Sequence, residues 1–297
     1  MLKRTVVVGG NFCALLLLSS ILALFSCGPC RAKGQGEIYR ELQNRLIRDG
    51  FSRALVGRAF RSARPPMLHL VCSTMRTGTG VPDYDHFLAP KEIACARRFI
   101  EDHRNCFVEE KAEYGVAPEI IAALFLVETH FGSYTGKTPT MAVFSTFAIM
   151  NRKGNRDLVW RSISASDRAA WGRRAFDKKL LDRSAWAYGE LRALFELERR
   201  CGMKIESLRG SVMGAIGWPQ FLPTSLVKYG VDGNGDGRID LNNAADAILS
   251  TANYLRAYGW CEAKTRPQKE AVIYNYNHSR AYVQIVLGIA ERTSEVR

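Results

Sequence analysis

The segment PEIIAALFLVETHFG, residues 118 to 132, constrains this chain more than any other stretch. Pro118 has a fixed φ and no amide hydrogen, which suits the first position of a helix, and Gly132 suits the residue just past its end. The spacing therefore predicts about four turns of helix between them. Ile120, Ile121, Ala122, Ala123, Leu124, Phe125, Leu126 and Val127 leave no polar face. Such a helix is buried on every side, and the rest of the chain must be built around it. Glu128 falls in its last turn. Burial and the negative end of the helix dipole both disfavour a charged carboxylate there, so its pKa is expected to rise. A proton held near neutral pH is what a general acid needs. The competing reading is a frayed helix end with Glu128 in water, since glutamate is seldom buried unpaired.

A helix of this kind needs apolar partners, and the chain can supply them. It has 297 residues, 47% of them hydrophobic, enough for a sizeable core in one or two domains and too apolar for a disordered protein. The net charge of +13 is spread through runs such as RAFRSAR (58–64), ARR (96–98) and WGRRAFDKK (171–179). This balance favours an anionic partner: nucleic acid, anionic lipid or an acidic polymer such as cell wall. Each short run also reads as a solvated helix face.

The N-terminus chooses among those partners. Lys3 and Arg4 precede a long apolar stretch that includes FCALLLLSSILALF (12–25), a charged region followed by an apolar one, as in an export signal. Export argues against nucleic acid. Thr5 to Phe25 is also nearly long enough to span a bilayer, so an uncleaved anchor is the alternative. In LFSC (24–27) the Leu at minus three and the small Ser before Cys27 resemble the bacterial lipobox, in which the cysteine is lipidated. Phe25 is unusual in that motif, and ordinary signal cleavage competes with it. Residues 1–27 are thus expected to be a signal peptide of lipoprotein type, with Cys27 as the lipidation site.

With Cys13 removed and Cys27 lipidated, Cys30, Cys72, Cys95, Cys106, Cys201 and Cys261 form an even set that an oxidising compartment could pair. One pairing is argued against: on a single helix Cys95 and Cys106 would stand about 16 Å apart along the axis, beyond disulfide reach. CGPC (27–30) stands alone, which argues against a zinc site.

Helix signals dominate the remainder. GEIYRELQNRLIRDGF (36–51) has Ile38, Leu42, Leu46 and Phe51 near helical spacing, and PKEIACARRFIEDHRNCFVEEKAEYG (90–115) opens on Pro and closes on Gly. Residues 138–150, 183–200 and 242–259 read as further helices, 61–84 as a loop, and the basic stretch 151–174 as irregular, in the manner of an insertion. The expected fold is mainly α, with an N-terminal helical region at 34–115 and a second unit at 116–297. GSYTGKT (132–138) mimics a phosphate-binding loop, but it has three residues between its glycines where that motif has four, and it follows a helix instead of a strand.

DGNGDGRID (232–240) is a second informative stretch. Asp232, Asn234 and Asp236 alternate with glycines in the Asp-x-Asn-x-Asp-Gly pattern of an EF-hand calcium loop, in which a backbone carbonyl at position seven, here Arg238, also faces the ion. Position twelve is Asn243 instead of a bidentate Glu, so the last carboxylate must come from elsewhere, and Asp246 is the nearest candidate. No second loop is present in the sequence, so a structural clip is expected and not a calcium switch. A glycine-rich turn that binds nothing is the competing reading.

Taken together, these blocks resemble the membrane-bound lytic transglycosylase B family, whose lysozyme-like domain cleaves peptidoglycan. GVAPEIIAALFLVETHFG resembles its catalytic helix. GSVMGAIGWPQFLPTS (210–225), the calcium loop with its late Asp, ANYLRAYGW (252–260) and YNHSRAYVQIVLGIA (276–290) resemble further blocks in the family's order. The resemblance implies a lysozyme-like catalytic domain at 116–297 with an EF-hand-like calcium loop. It implies Glu128 as the single catalytic acid/base, and Ser211, Gln220, Phe221, Tyr254, Tyr276, Asn277 and Tyr282 as residues lining the glycan cleft. It implies Asp232, Asn234, Asp236, the carbonyl of Arg238 and Asp246 as ligands of one structural Ca2+. Pro219 departs from the family, which often has Gly there; this would stiffen the turn that presents Gln220. Packing competes with substrate contact for each aromatic, and capping competes with it for Ser211.

The chemistry implied needs one acid only. A retaining glycosidase places a second carboxylate about 5 Å from the first as nucleophile; in the lytic transglycosylases the substrate's own C6 hydroxyl serves instead. The product expected is a 1,6-anhydromuramoyl end, and the partner expected is the peptidoglycan glycan strand. The chain is expected to act as a monomer on the periplasmic side of a bacterial membrane, touching that membrane only through its N-terminal lipid or anchor. Two alternatives stay open at this point: a lysozyme-type hydrolase, if Asp157 or Asp167 faces the cleft, and a non-catalytic wall-binding lipoprotein.

Overall fold

The computed structural model describes residues 35–61, 63–78, 80 and 83–295; the signal segment 1–27, Cys27 and Cys30 lie outside the described residues. The chain is mainly helical. The N-terminal region carries α1 (Gln35–Ile38), α2 (Arg40–Arg48), α3 (Arg53–Arg61), α4 (Leu68–Ser73), α5 (Pro90–Asp102) and α6 (Arg104–Glu113). Next come α7 (Pro118–Thr129), β1 (Thr138–Pro139), α8 (Thr140–Ala148), α9 (Lys153–Ser162), α10 (Ala165–Trp171) and α11 (Arg173–Cys201). The chain closes through β2 (Arg209–Gly210), α12 (Pro223–Tyr229), α13 (Ala244–Ala257), α14 (Arg266–Tyr276) and α15 (Arg280–Ser294).

Helix α7 lies at the centre, as its lack of a polar face demands: every residue from Ile120 to Thr129 is buried. Helices α5 and α15 pack along it, and α13 meets it more briefly. A second packing unit forms where α8, buried along its whole length, lies against the long α11. The strands β1 and β2 pair antiparallel, Thr138 opposite Gly210 and Pro139 opposite Arg209, and tie the chain after α7 to the segment that follows α11.

Several local expectations differ from what the chain does. Residues 90–115 form two helices, broken at His103 (φ −114°, ψ 25°), whose ring packs against Phe99 and Trp218. The stretch 61–84 contains α4, and the supposedly irregular 151–174 is helical, as α9 and α10. One of its basic residues is turned inward: Arg156 is buried, paired with Asp177 and donating to the carbonyls of Met150 and Asn151. The described cysteines, Cys72, Cys95, Cys106, Cys201 and Cys261, are all free thiols.

Candidate active site

Glu128 lies at the end of α7 with a relative exposure of only 5%. Tyr282, fully buried on α15, donates its hydroxyl to Glu128 Oε1 at 2.6 Å. This bond ties the end of α7 to a separate helix.

The helix ends earlier than Gly132 suggests. Thr129 is its last residue, and His130 (φ 49°), Phe131 (φ 55°) and Gly132 (φ 82°) all lie in the left-handed region. Non-glycine residues there carry strain that surrounding structure must hold. The restraints are visible: Thr129 Oγ1 accepts from Gly132 N and donates to the Trp218 carbonyl, both at 3.0 Å, while Phe131 stacks on Phe99 with ring centroids 4.7 Å apart. A Cβ on Gly132 would lie 2.0 Å from Trp218 Nε1, so only glycine lets the indole close over the turn.

Residues 209–221 meet the end of α7 through the Thr129–Trp218 hydrogen bond. Gln220 takes a left-handed conformation (φ 51°), and its Nε2 donates to the carbonyls of Gly217 (2.9 Å) and Thr135 (3.3 Å). The half-buried Tyr276, last residue of α14, donates its hydroxyl to the Pro219 carbonyl at 2.5 Å. One tripeptide, Trp218-Pro219-Gln220, is thus tied both to the end of the Glu128 helix and to Tyr276. Phe221 and Tyr254 are buried and pack against each other and against Tyr276, with Tyr254 Oη donating to the Asn275 carbonyl at 2.9 Å. Asn277 is buried at the C-terminal cap of α14. Ser211 is half-buried and caps a turn instead of a helix, its Oγ accepting from the amides of Met213 and Ala215.

The acids held in reserve as a second catalytic carboxylate are engaged elsewhere. Asp157 pairs with Lys153 and Arg173, whose hydrogen bonds hold it down at about 2. Asp167 accepts from Ser164 and from both the amide and hydroxyl of Thr77, and these bonds hold it below the usual carboxylate range. Sequence reasoning missed four supports of the site: Thr129, Trp218, Tyr84, whose ring meets Tyr282 edge-on at 6.2 Å, and Glu190. Glu190 is buried on α11 and accepts from the amide and hydroxyl of Thr224, both at 2.9 Å, anchoring the N-terminus of α12 behind the wall. Burial raises its pKa, against those two bonds. Only the Thr129 and Trp218 positions lie within blocks that the sequence marks.

The aspartate-rich loop folds around its own amides. Asp232 accepts from Asp236 N and Gly237 N, Asn234 from Asp236 N, and Asp236 from Arg238 N. Asp246, 1% exposed on α13, accepts from Gly233 N, Asn234 N and Asp240 N. Asn243, at position twelve, caps α13 by accepting from Ala245 N and Asp246 N. The donors are hard oxygens of the kind calcium takes. Among the described residues no three His, Cys, Asp or Glu side chains gather as a metal cluster. The loop therefore fits calcium in donor chemistry and reaches α13 through Asp246, with its carboxylates turned to backbone amides.

The chain resembles known proteins in sequence and in fold. Residues 34–269 match the family model described as the transglycosylase SLT domain, a span that ends before Tyr276, Asn277 and Tyr282. Over 174 residues the chain is 29% identical to the membrane-bound lytic murein transglycosylase B of Escherichia coli, covering 59% of this chain and 40% of that relative's length. A crystal structure of the soluble lytic transglycosylase SltB1 from Pseudomonas aeruginosa superposes with a TM-score of 0.70 at 22% identity, over 88% of this chain and 99% of that one. The E. coli lytic transglycosylase Slt35, solved in complex with calcium, gives 0.66 at 20% identity, over 86% and 92%. The lysozyme-like lytic transglycosylase fold is shared with both structures.

Proposed function

The chain belongs to the transglycosylase SLT domain family, and from that premise we propose that it cleaves the β-1,4 bond between N-acetylmuramic acid and N-acetylglucosamine in peptidoglycan, leaving a 1,6-anhydromuramoyl end. The observation that carries this reading is the buried Glu128 at the end of α7, held by Tyr282 beside a wall built from Gln220 and Tyr276. Protonated Glu128 gives its proton to the glycosidic oxygen as that bond breaks. The resulting carboxylate takes the proton of the muramoyl C6 hydroxyl, and the C6 oxygen closes on C1. One group serves both half-reactions, as acid first and as base second. Gln220, Tyr276, Asn277 and Ser211 orient the strand, the positioning on which an intramolecular attack depends. Phe221 and Tyr254 support that wall from beneath. The engagement of Asp157 and Asp167 in other networks weighs against a hydrolase with a carboxylate nucleophile.

Residues 116–297 form the catalytic domain in this reading. Asp232, Asn234, Asp236, the Arg238 carbonyl and Asp246 hold one calcium ion as a clip on α13, away from the bond being broken. The N-terminal segment exports the chain and anchors it through Cys27, placing the enzyme beside its polymer as a monomer. Digestion of purified peptidoglycan followed by mass spectrometry of the muramoyl ends tests the activity: anhydro ends are expected, and reducing muramic acid ends would overturn it.

A further inference from the structure

Tyr134 is 68% exposed, the most exposed large hydrophobic side chain among the described residues. Its backbone is held on both sides. Tyr134 N donates to the Thr129 carbonyl at 3.0 Å, Ser133 N to the His130 carbonyl at 3.2 Å, and Gln220 Nε2 to the Thr135 carbonyl at 3.3 Å. A Cβ on Gly136 would lie 2.1 Å from the Gly210 carbonyl, so the loop rests directly on the strand that leads to Ser211. The ring itself meets His130 edge-on, centroids 6.5 Å apart at 71°, and His130 Nε2 donates to the buried Glu92 at 2.9 Å. The loop is held by Thr129, His130 and Gln220, and while its Phe131 ring stacks on Phe99 its Tyr134 ring stands in water.

We propose that Tyr134 is a stacking platform for a sugar ring of the bound glycan strand, at the rim between the Glu128 helix and the Gln220 turn, with the Glu92–His130 pair holding its ring upright. The assignment rests on the glycan-cleaving reading above. Pyranose rings present apolar C–H faces, and an aromatic face of fixed orientation recognises them at little entropic cost. In this assignment Tyr134 holds the strand and takes no part in proton transfer.

The test measures kcat and KM on glycan strands of graded length for the wild type, Tyr134→Ala and Tyr134→Phe. Tyr134→Ala is expected to raise KM on long strands by about three- to tenfold, in line with one aromatic stack. It should leave kcat, the melting temperature and turnover of the shortest substrates unchanged, and Tyr134→Phe should behave as wild type. An unchanged KM for Tyr134→Ala on long strands, or equal losses for Ala and Phe, would overturn the platform. A wild type that cleaves no strand sinks the parent reading alone. Strand binding by Glu128→Gln with and without Tyr134→Ala then decides the platform: a loss of the same size supports it and unchanged binding refutes it.

Discussion

Glu110 and Glu128 are both buried carboxylates, one just before α7 and one at its end, and the fold treats them differently. Glu110 is fully buried; its Oε1 accepts from Val116 N at 3.0 Å and its Oε2 has no hydrogen-bond partner among the described residues. Burial pushes it up to about 7, against the Val116 amide and Lys111. Glu128 is bonded instead to a tyrosine hydroxyl on another helix, beside a strained turn and a glycine-rich wall. An acid sealed under its own backbone can only stabilise or destabilise the fold. Burial therefore does not by itself make a carboxylate catalytic; Glu128 differs from Glu110 in being bonded to a tyrosine hydroxyl carried by another helix.

That contrast can be broken most sharply at Glu128. Glu128→Gln keeps the shape but cannot cycle a proton, so turnover should fall by about 10⁴, the upper end for general acid/base transfer, with the melting temperature little changed. Glu110→Gln should leave turnover intact. A smaller loss is expected from Tyr282→Phe: kcat on glycan strands should drop about 10- to 100-fold, the worth of one hydrogen bond to a charged group, with strand binding retained. Equal activity would show that Tyr282 only packs.

Smaller effects appear in stability. Because Glu110 is raised from 4.5 to about 7 in the folded chain, the fold binds a proton there that the unfolded chain has already lost. Its contribution is complete below about 4.5 and is lost as the pH rises toward about 7. Glu110→Gln should therefore melt with a shallower decline across that window, and an identical slope would remove Glu110 as its source. Calcium should raise the melting temperature by a few degrees at saturating concentration through binding to the folded state. Replacing Asp232 and Asp236 with Ala should abolish the shift; if the unmodified chain shows none, the loop is only a turn.

How much of this was legible in the sequence depends on the range of the interactions. Helix α7 could be read from Pro118, its apolar run and Gly132, because those signals are local. Its early end could not, since the chain turns left-handed already at His130, a residue type that does not announce such a turn. The aspartate loop was legible in pattern, and Asn243 at position twelve turned out to be a helix cap. Residues 151–174 read as irregular, yet they form α9 and α10, and Arg156 is buried against Asp177, a partner 21 residues along the chain that the local pattern does not indicate. Tyr282 was placed at the cleft through a family likeness, but its bond to Glu128 spans 154 residues and no spacing announces it.

The central claim is that Glu128 acts without a second carboxylate because the substrate's own hydroxyl replaces both it and water. Digestion of peptidoglycan in water enriched in ¹⁸O measures this directly. The account predicts muramoyl ends that are anhydro and carry no ¹⁸O from the first turnover. Muramoyl ends labelled with ¹⁸O in proportion to cleavage would contradict it.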